Sequence, residues 1–269
     1  MRFDIVDVFA EAKYAGNQLA IVRDAAALST AQMQAIARET NFSETTFVID
    51  DKPTVRIFTP GSEIPFAGHP TLGTAALLMG DAPEITLHLG VGPIRVARDR
   101  DVYWMTQRAP SFGATRSAAE LAPVVGLRED EIAGPVEEVS TGLPFLVVPV
   151  ASLDALRRVR IDLPRYWALI EKMEAKSIAC FARGPGADVT TRVFPISYGI
   201  PEDPATGSAA GCLGAYLVKH KTTGADALDL RLHQGEQIGR PSLLLLRADA
   251  TRIEVGGRVQ RVVEGRLVL

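Results

Sequence analysis

Three ionisable side chains stand where the chain repeats itself, and their types suit moving a proton on and off carbon. His69 and Asp203 each precede a proline in two stretches of one pattern. The first is Phe66-Ala67-Gly68-His69-Pro70-Thr71-Leu72-Gly73-Thr74-Ala75-Ala76 and the second is Pro201-Glu202-Asp203-Pro204-Ala205-Thr206-Gly207-Ser208-Ala209-Ala210. Both read polar-Pro-x-x-Gly-(Ser/Thr)-Ala-Ala, 134 residues apart from Pro70 to Pro204. The third residue, Glu44, lies in Asn41-Phe42-Ser43-Glu44-Thr45, and its counterpart 134 residues on is Ile178. The acid is therefore present in one copy only, which argues that it is there for chemistry and not for folding.

A carboxylate whose pKa burial raises toward working pH can act as a general base, and an imidazole beside it can take or return the proton. Proline is tolerated in the first turn of a helix, so each copy of the pattern predicts a helix start. Such a start offers unpaired N–H groups and a partial positive charge to a carboxylate. Ser208 and the N–H groups near Gly73 and Gly207 can thus hold a carboxylate or enolate oxygen. Each residue also has a plainer structural reading. Glu44 can be a solvated strand-edge acid, His69 a packing or capping histidine, Asp203 an N-cap, and Gln234-Gly235 a turn.

The elements that must carry these residues follow in order. Arg2 to Phe9 and Leu19 to Val22 read as strands around a turn at Gly16-Asn17. Ser29-x-x-Gln32 opens a helix as a capping box, and the strands Phe47 to Ile49 and Val55 to Thr59 precede the first signature. Ala109 to Thr115, with Pro110 and Gly113, is the best linker candidate. After it the order repeats: Ser117-x-x-Glu120 caps a helix, Phe145 to Val150 is an apolar run, helical patterns cover 151–159 and 163–174, and Arg192-Val193-Phe194 repeats Arg56-Ile57-Phe58. A repeat of this length describes a duplicated domain and not a solenoid. The expected organisation is an N-terminal half over 1–112 and a C-terminal half over 113–259.

Composition excludes several classes. With 47% hydrophobic and 23% charged residues the chain can bury a sizeable core. A net charge of −3 without like-charge blocks excludes nucleic acid as an expected partner. Met1-Arg2-Phe3-Asp4-Ile5-Val6-Asp7 has no secretory character, and Leu243-Leu244-Leu245-Leu246 is far too short to span a membrane, so a soluble, cytoplasmic protein is expected. Cys180 and Cys212 form no disulfide framework, Cys212 reads as core, and the four histidines have no metal-ligand spacing.

The two signatures, with Asn41-Phe42-Ser43-Glu44-Thr45, His233-Gln234-Gly235, Gly239-Arg240-Pro241-Ser242, Gly16-Asn17, Val255-Gly256-Gly257 and Val263-Glu264-Gly265, resemble the marks of the phenazine-biosynthesis PhzF-like isomerase family. The resemblance runs the length of the chain. It implies an α+β fold like that of diaminopimelate epimerase: two similar halves, each a curved, mostly antiparallel sheet wrapped round a central helix, with the active site between them. It implies that the last strand, about 260–269, returns to the first half. It further implies a homodimer and a proton shuttle or epimerisation on a small carboxylic acid, without metal or coenzyme.

By position, Glu44 resembles the family's acid/base residue, with His69 and Asp203 as its polar assistants. Gly73, Thr74, Gly207, Ser208, Gln234 and Gly235 fall where substrate would be held. Two departures stand out. The related epimerases carry a cysteine at each helix start, where this chain has His69 and Asp203, so a two-thiol mechanism is excluded. Gln18 stands where the family often has proline, which bears on the entry loop. Two rival readings remain open: a small-acid binding or regulatory protein, and a hydrolase using Ser208, His69 and Asp203. The latter lacks the Gly-x-Ser-x-Gly elbow.

Overall fold

A computed structural model describes residues 1–184 and 188–268. The chain forms two compact units. One holds Met1–Thr106, Arg240–Leu243 and the chain from Gly256 onward; the other holds Gln107–Gly239 and Leu244–Val255.

The first unit opens with β1 (Arg2–Val8) and β2 (Asn17–Arg23), an antiparallel pair. Helix α1 (Thr30–Thr40) then carries the chain back so that β3 (Glu44–Val48) runs parallel to β2. Both halves of the capping box form, with Ser29 Oγ accepting from the Gln32 N–H and the Gln32 side chain accepting from the Ser29 N–H. The buried stripe of α1, Met33 and Ala37, packs with Val22, Phe47 and Phe58. Strands β4 (Val55–Phe58) and β5 (Glu63–Ile64) complete an edge.

Next come α2 (Gly68–Met79) and the antiparallel meander β6 (Glu84–Leu89), β7 (Gly92–Asp99) and β8 (Val102–Thr106). Residues Gly68 to Ala75 are all buried. A helix with no polar face needs walls on every side, and α2 finds them in β1, β2 and β3 on one hand and β6, β7 and β8 on the other.

The second unit repeats this plan. It begins with β9 (Ser111–Arg116), α3 (Ala118–Val125), β10 (Val136–Ser140) and β11 (Pro144–Pro149). Helices α4 (Leu153–Arg158) and α5 (Leu163–Ile170) form the crossover that sets β12 (Ile178–Arg183) parallel to β11, and β13 (Val189–Phe194) folds back antiparallel. Helix α6 (Gly207–Lys219) is buried from Gly207 through Leu217, and β14 (Leu228–Gln234), β15 (Ser242–Ala248) and β16 (Ile253–Gly257) follow. The strand order is β16-β15-β14-β13-β12-β11-β10-β9. Glu44 is the first residue of β3 and Ile178 the first of β12, so the two occupy equivalent places.

The stretch expected as a linker is instead strand β9. Its pairing with β10, Phe112 opposite Val139 and Ser111 opposite Ser140, satisfies the backbone and overrides the local turn-formers. The last strand, β17 (Val259–Arg266), pairs antiparallel with β1, giving the first unit the order β17-β1-β2-β3-β4-β5. Leu269, which the sequence assigns to that strand, lies outside the described residues. No described helix is long and apolar enough to cross a membrane.

Candidate active site

Alternation along β3 decides where Glu44 points. Side chains on a strand face opposite sides in turn. Thr45 Oγ1 meets Thr40 Oγ1 of α1 at 2.8 Å, while Thr46 Oγ1 meets Thr74 Oγ1 of α2 at 2.9 Å. Glu44, two residues before Thr46, therefore shares the α2 side and reaches the start of that helix. Its Oε2 lies 3.4 Å from His69 Nδ1, with both side chains largely shielded from solvent.

That contact is within ion-pair distance, but it is not an ion pair. Burial pushes the His69 imidazole down to about 3, opposed by its hydrogen bond to the Gln18 main chain, so at neutral pH the ring is uncharged. Its tautomer follows from its partners. Nε2 is 3.3 Å from the Gln18 carbonyl oxygen, which can only accept, so Nε2 carries the hydrogen. The Nδ1 lone pair then faces the Asn17 Nδ2 group, 3.5 Å away, and the Glu44 carboxyl.

The turn that leads into Asn17 and Gln18 at the start of β2 is itself held. Arg240 Nη2 donates to Asp7 Oδ1 and to the Ala15 carbonyl, each at 2.7 Å, and Nε donates to the Gly16 carbonyl at 2.9 Å. The departure at Gln18 matters little to this contact, because the acceptor is a main-chain carbonyl that proline would also supply.

Helix α2 begins at Gly68, and its first intrahelical bond runs from the Thr71 N–H to the Ala67 carbonyl. Pro70 has no N–H, so Gly68 and His69 supply the free donors at this end. Gly73 lies a turn further in, where an added Cβ would stand 2.7 Å from both Val8 Cγ2 and Leu19 Cδ2. Its place is a packing contact with the sheet. Thr74 bonds to Thr46.

In the second unit, α6 begins at Gly207, three residues after Pro204, and not in the proline's own turn. The cause is that the preceding residues are held extended: the Asp203 N–H donates to the Val193 carbonyl at 2.9 Å in an isolated bridge. Thr206 is the N-cap residue, so Asp203 is not the cap. The N–H groups of Gly207, Ser208 and Ala209 form the donor end, since the first intrahelical bond runs from Ala210 to Thr206. Gly73 and Gly207 matched in sequence but do not match in structure; the helix starts pair Gly68 with Gly207.

Asp203 is buried and accepts a hydrogen bond from the Thr206 hydroxyl. Gln234 is buried too, and its amide holds this loop: Nε2 donates to the Asp203 carbonyl at 2.8 Å and to Thr206 Oγ1 at 3.0 Å, while Oε1 accepts from the Thr206 N–H at 3.2 Å. Gly235 makes the turn after β14, with φ of 79°. Sequence reasoning missed Gly68, Asn17 and Thr206. Gly68 and Thr206 lie inside the signatures and Asn17 inside the Gly16-Asn17 mark, but the contact of Asn17 with His69 joins residues 52 apart, which no local pattern reports.

Both thiols are inert by environment. Burial pushes Cys180 up to about 12 and Cys212 up to about 11. Among the described residues no three His, Cys, Asp or Glu side chains gather as a metal site would require.

The family model "Phenazine biosynthesis-like protein", PhzC-PhzF, matches residues 6–268. The chain belongs to the PhzC-PhzF family. It is 37% identical over 281 residues to the trans-2,3-dihydro-3-hydroxyanthranilate isomerase of Pseudomonas fluorescens, covering 98% of each chain. The PhzF-family protein of Bacillus anthracis has a similar structure, with a TM-score of 0.90 at 26% identity over 100% of this chain and 99% of that one. A probable proline racemase of Agrobacterium radiobacter, 11% identical with a TM-score of 0.63 over 100% of this chain and 93% of that one, shares the fold, which is thereby of the epimerase kind. Full-length relatives at 35–37% identity are isomerases, and the PhzC-PhzF chain described here is one as well.

Proposed function

We propose that this isomerase shifts a proton between carbon positions of trans-2,3-dihydro-3-hydroxyanthranilate or a close cyclic amino acid analogue, with Glu44 as the group that removes and returns it. The substrate assignment rests on the 37% identical relative from Pseudomonas fluorescens. The observation that carries the role of Glu44 is its 3.4 Å contact with a histidine held neutral.

The chemistry follows from that neutrality. A carboxylate and an imidazole lone pair are both acceptors and gain nothing from each other. Once Glu44 has taken a proton from carbon, its O–H can donate to His69 Nδ1, a bond that exists only in the protonated state. His69 thereby stabilises the intermediate, and an imidazole titrating near 3 leaves the proton on Glu44, ready to be redelivered. Charge that develops on the substrate as the C–H bond breaks is met by helix-start donors, the N–H groups of Gly68 and His69. Asp203 and Ser208 are substrate-contacting groups in this reading. In this proposal the observed contacts of Gly73, Thr74 and Gln234 and the turn at Gly235 hold the elements around them without touching substrate. In solution the protein is a cytoplasmic homodimer in this reading, as the resemblance implied.

The hydrolase reading finds no support. A triad needs the imidazole N–H turned to an aspartate, whereas the hydrogen of His69 is directed at the Gln18 carbonyl. Incubation of the protein with trans-2,3-dihydro-3-hydroxyanthranilate in deuterated water, followed by NMR, tests the proposal. Deuterium must appear at carbon in step with isomerisation; isomerisation or binding without any exchange over repeated turnovers would refute a shuttle through a solvent-exchanging acid.

A further inference from the structure

We propose that Thr206 and Gln234 are positioning residues that fix the carboxylate of Asp203 through a hydrogen-bond chain of one possible direction. The proposal deepens the reading of Asp203 as a group that serves the substrate, and it rests on that reading for its kinetic arm only.

The direction of the chain follows from main-chain chemistry. The Thr206 N–H can only donate, so the atom of Gln234 that faces it at 3.2 Å must be the amide oxygen. The Asp203 carbonyl can only accept, so the atom facing it at 2.8 Å must be the amide nitrogen. Rotating the amide by half a turn would set donor against donor and acceptor against acceptor. With Oε1 and Nε2 so fixed, one hydrogen of Nε2 goes to the Asp203 carbonyl and the other to Thr206 Oγ1, 3.0 Å away. That hydroxyl already accepts, and it has a single hydrogen. The acceptor within reach for it is Asp203 Oδ2. Thr191 Oγ1 donates to Gln234 Oε1 at 3.3 Å and holds the amide from β13.

The main chain thus orients the Gln234 amide, the amide orients the threonine hydroxyl, and the hydroxyl anchors one oxygen of Asp203. Gln234 and Asp203 are both buried, so no bulk water can replace a lost member cheaply. The same chain keeps Thr206 as the N-cap residue, from which the donor end of α6 starts.

Three variants test this: Thr206→Val, which keeps shape and removes the hydroxyl; Thr206→Ser, which keeps the hydroxyl; and Gln234→Glu, which puts an acceptor where Nε2 stood and turns the hydroxyl away from Asp203. Each is read by crystal structure and by deuterium exchange into trans-2,3-dihydro-3-hydroxyanthranilate at saturation. For Thr206→Val and Gln234→Glu the exchange kcat falls roughly 10- to 100-fold with KM little changed, as expected when a bond to a charged group is lost. In both variants the Asp203 carboxylate leaves its observed position, while Thr206→Ser keeps both position and rate. A Thr206→Val protein with Asp203 in place and wild-type kcat would overturn the proposal, as would a Thr206→Ser protein as impaired as Thr206→Val. Should the wild-type protein not exchange this compound, the substrate assignment fails, and the position of Asp203 in the three crystal structures decides the proposal.

Discussion

Arg192 grips Glu202 with two parallel hydrogen bonds, from Nε at 2.9 Å and from Nη2 at 2.7 Å, while its Nη1 donates to the Val159 carbonyl at 2.8 Å. The first unit repeats the device. Arg56 bonds both oxygens of Glu63, and each guanidinium also lies over a phenylalanine, Phe194 at 5.1 Å and Phe58 at 5.2 Å. The copies differ in exposure: the side chains are 5% and 10% exposed in the second unit but 29% and 40% in the first.

That difference predicts unequal costs. Arg192→Ala strands a buried carboxylate beside Asp203 and should cost roughly 3–5 kcal/mol, whereas Arg56→Ala should cost about 1 kcal/mol or less. Urea denaturation of the two variants measures both. Equal losses would contradict the assignment of Arg192 as the buried clamp of the loop that carries Asp203.

Stability should fall with acid through His69. Its folded-state pKa is about 3, against the ordinary histidine value of 6.5, so between these values the unfolded chain binds more protons and stability rises with pH. On going from neutral pH to pH 5 this one group removes about 2 kcal/mol. The His69→Gln variant should lack that increment, giving a shallower dependence of unfolding free energy on pH from 7 to 5. Parallel curves for the two proteins would mean that the ring is not held neutral.

Gly73→Ala separates packing from ligand binding. A Cβ placed 2.7 Å from Val8 and Leu19 forces the helix away from β1 and β2, and overpacking of this kind costs roughly 1–3 kcal/mol. The expected outcome is a lower melting temperature. An unchanged melting temperature with a raised KM would instead return Gly73 to the role the sequence suggested.

Much of this was legible in the chain. The two capping boxes at Ser29 and Ser117 form, and the duplicated signatures do lead two buried helices. The family, its fold and its isomerase class agree with the motifs. What failed was alignment within the signature. Pairing Pro70 with Pro204 placed Gly73 opposite Gly207, but Pro70 is the third residue of α2 while Pro204 precedes α6, because the bridge from Asp203 to Val193 and the Gln234 amide delay that helix. Local propensity cannot report a helix start set by residues 31 positions away. The state of His69 was hidden for the same reason: its neutrality comes from burial, and its tautomer is set by a carbonyl 51 residues distant.

The most direct test of the account is the Glu44→Gln variant, compared with wild type by NMR in deuterated water with trans-2,3-dihydro-3-hydroxyanthranilate. Removing a general base costs roughly 10²- to 10⁴-fold in rate. The account predicts a loss of that size in both isomerisation and deuterium uptake at carbon, with binding retained. Exchange that continues at the wild-type rate without the Glu44 carboxylate would contradict it.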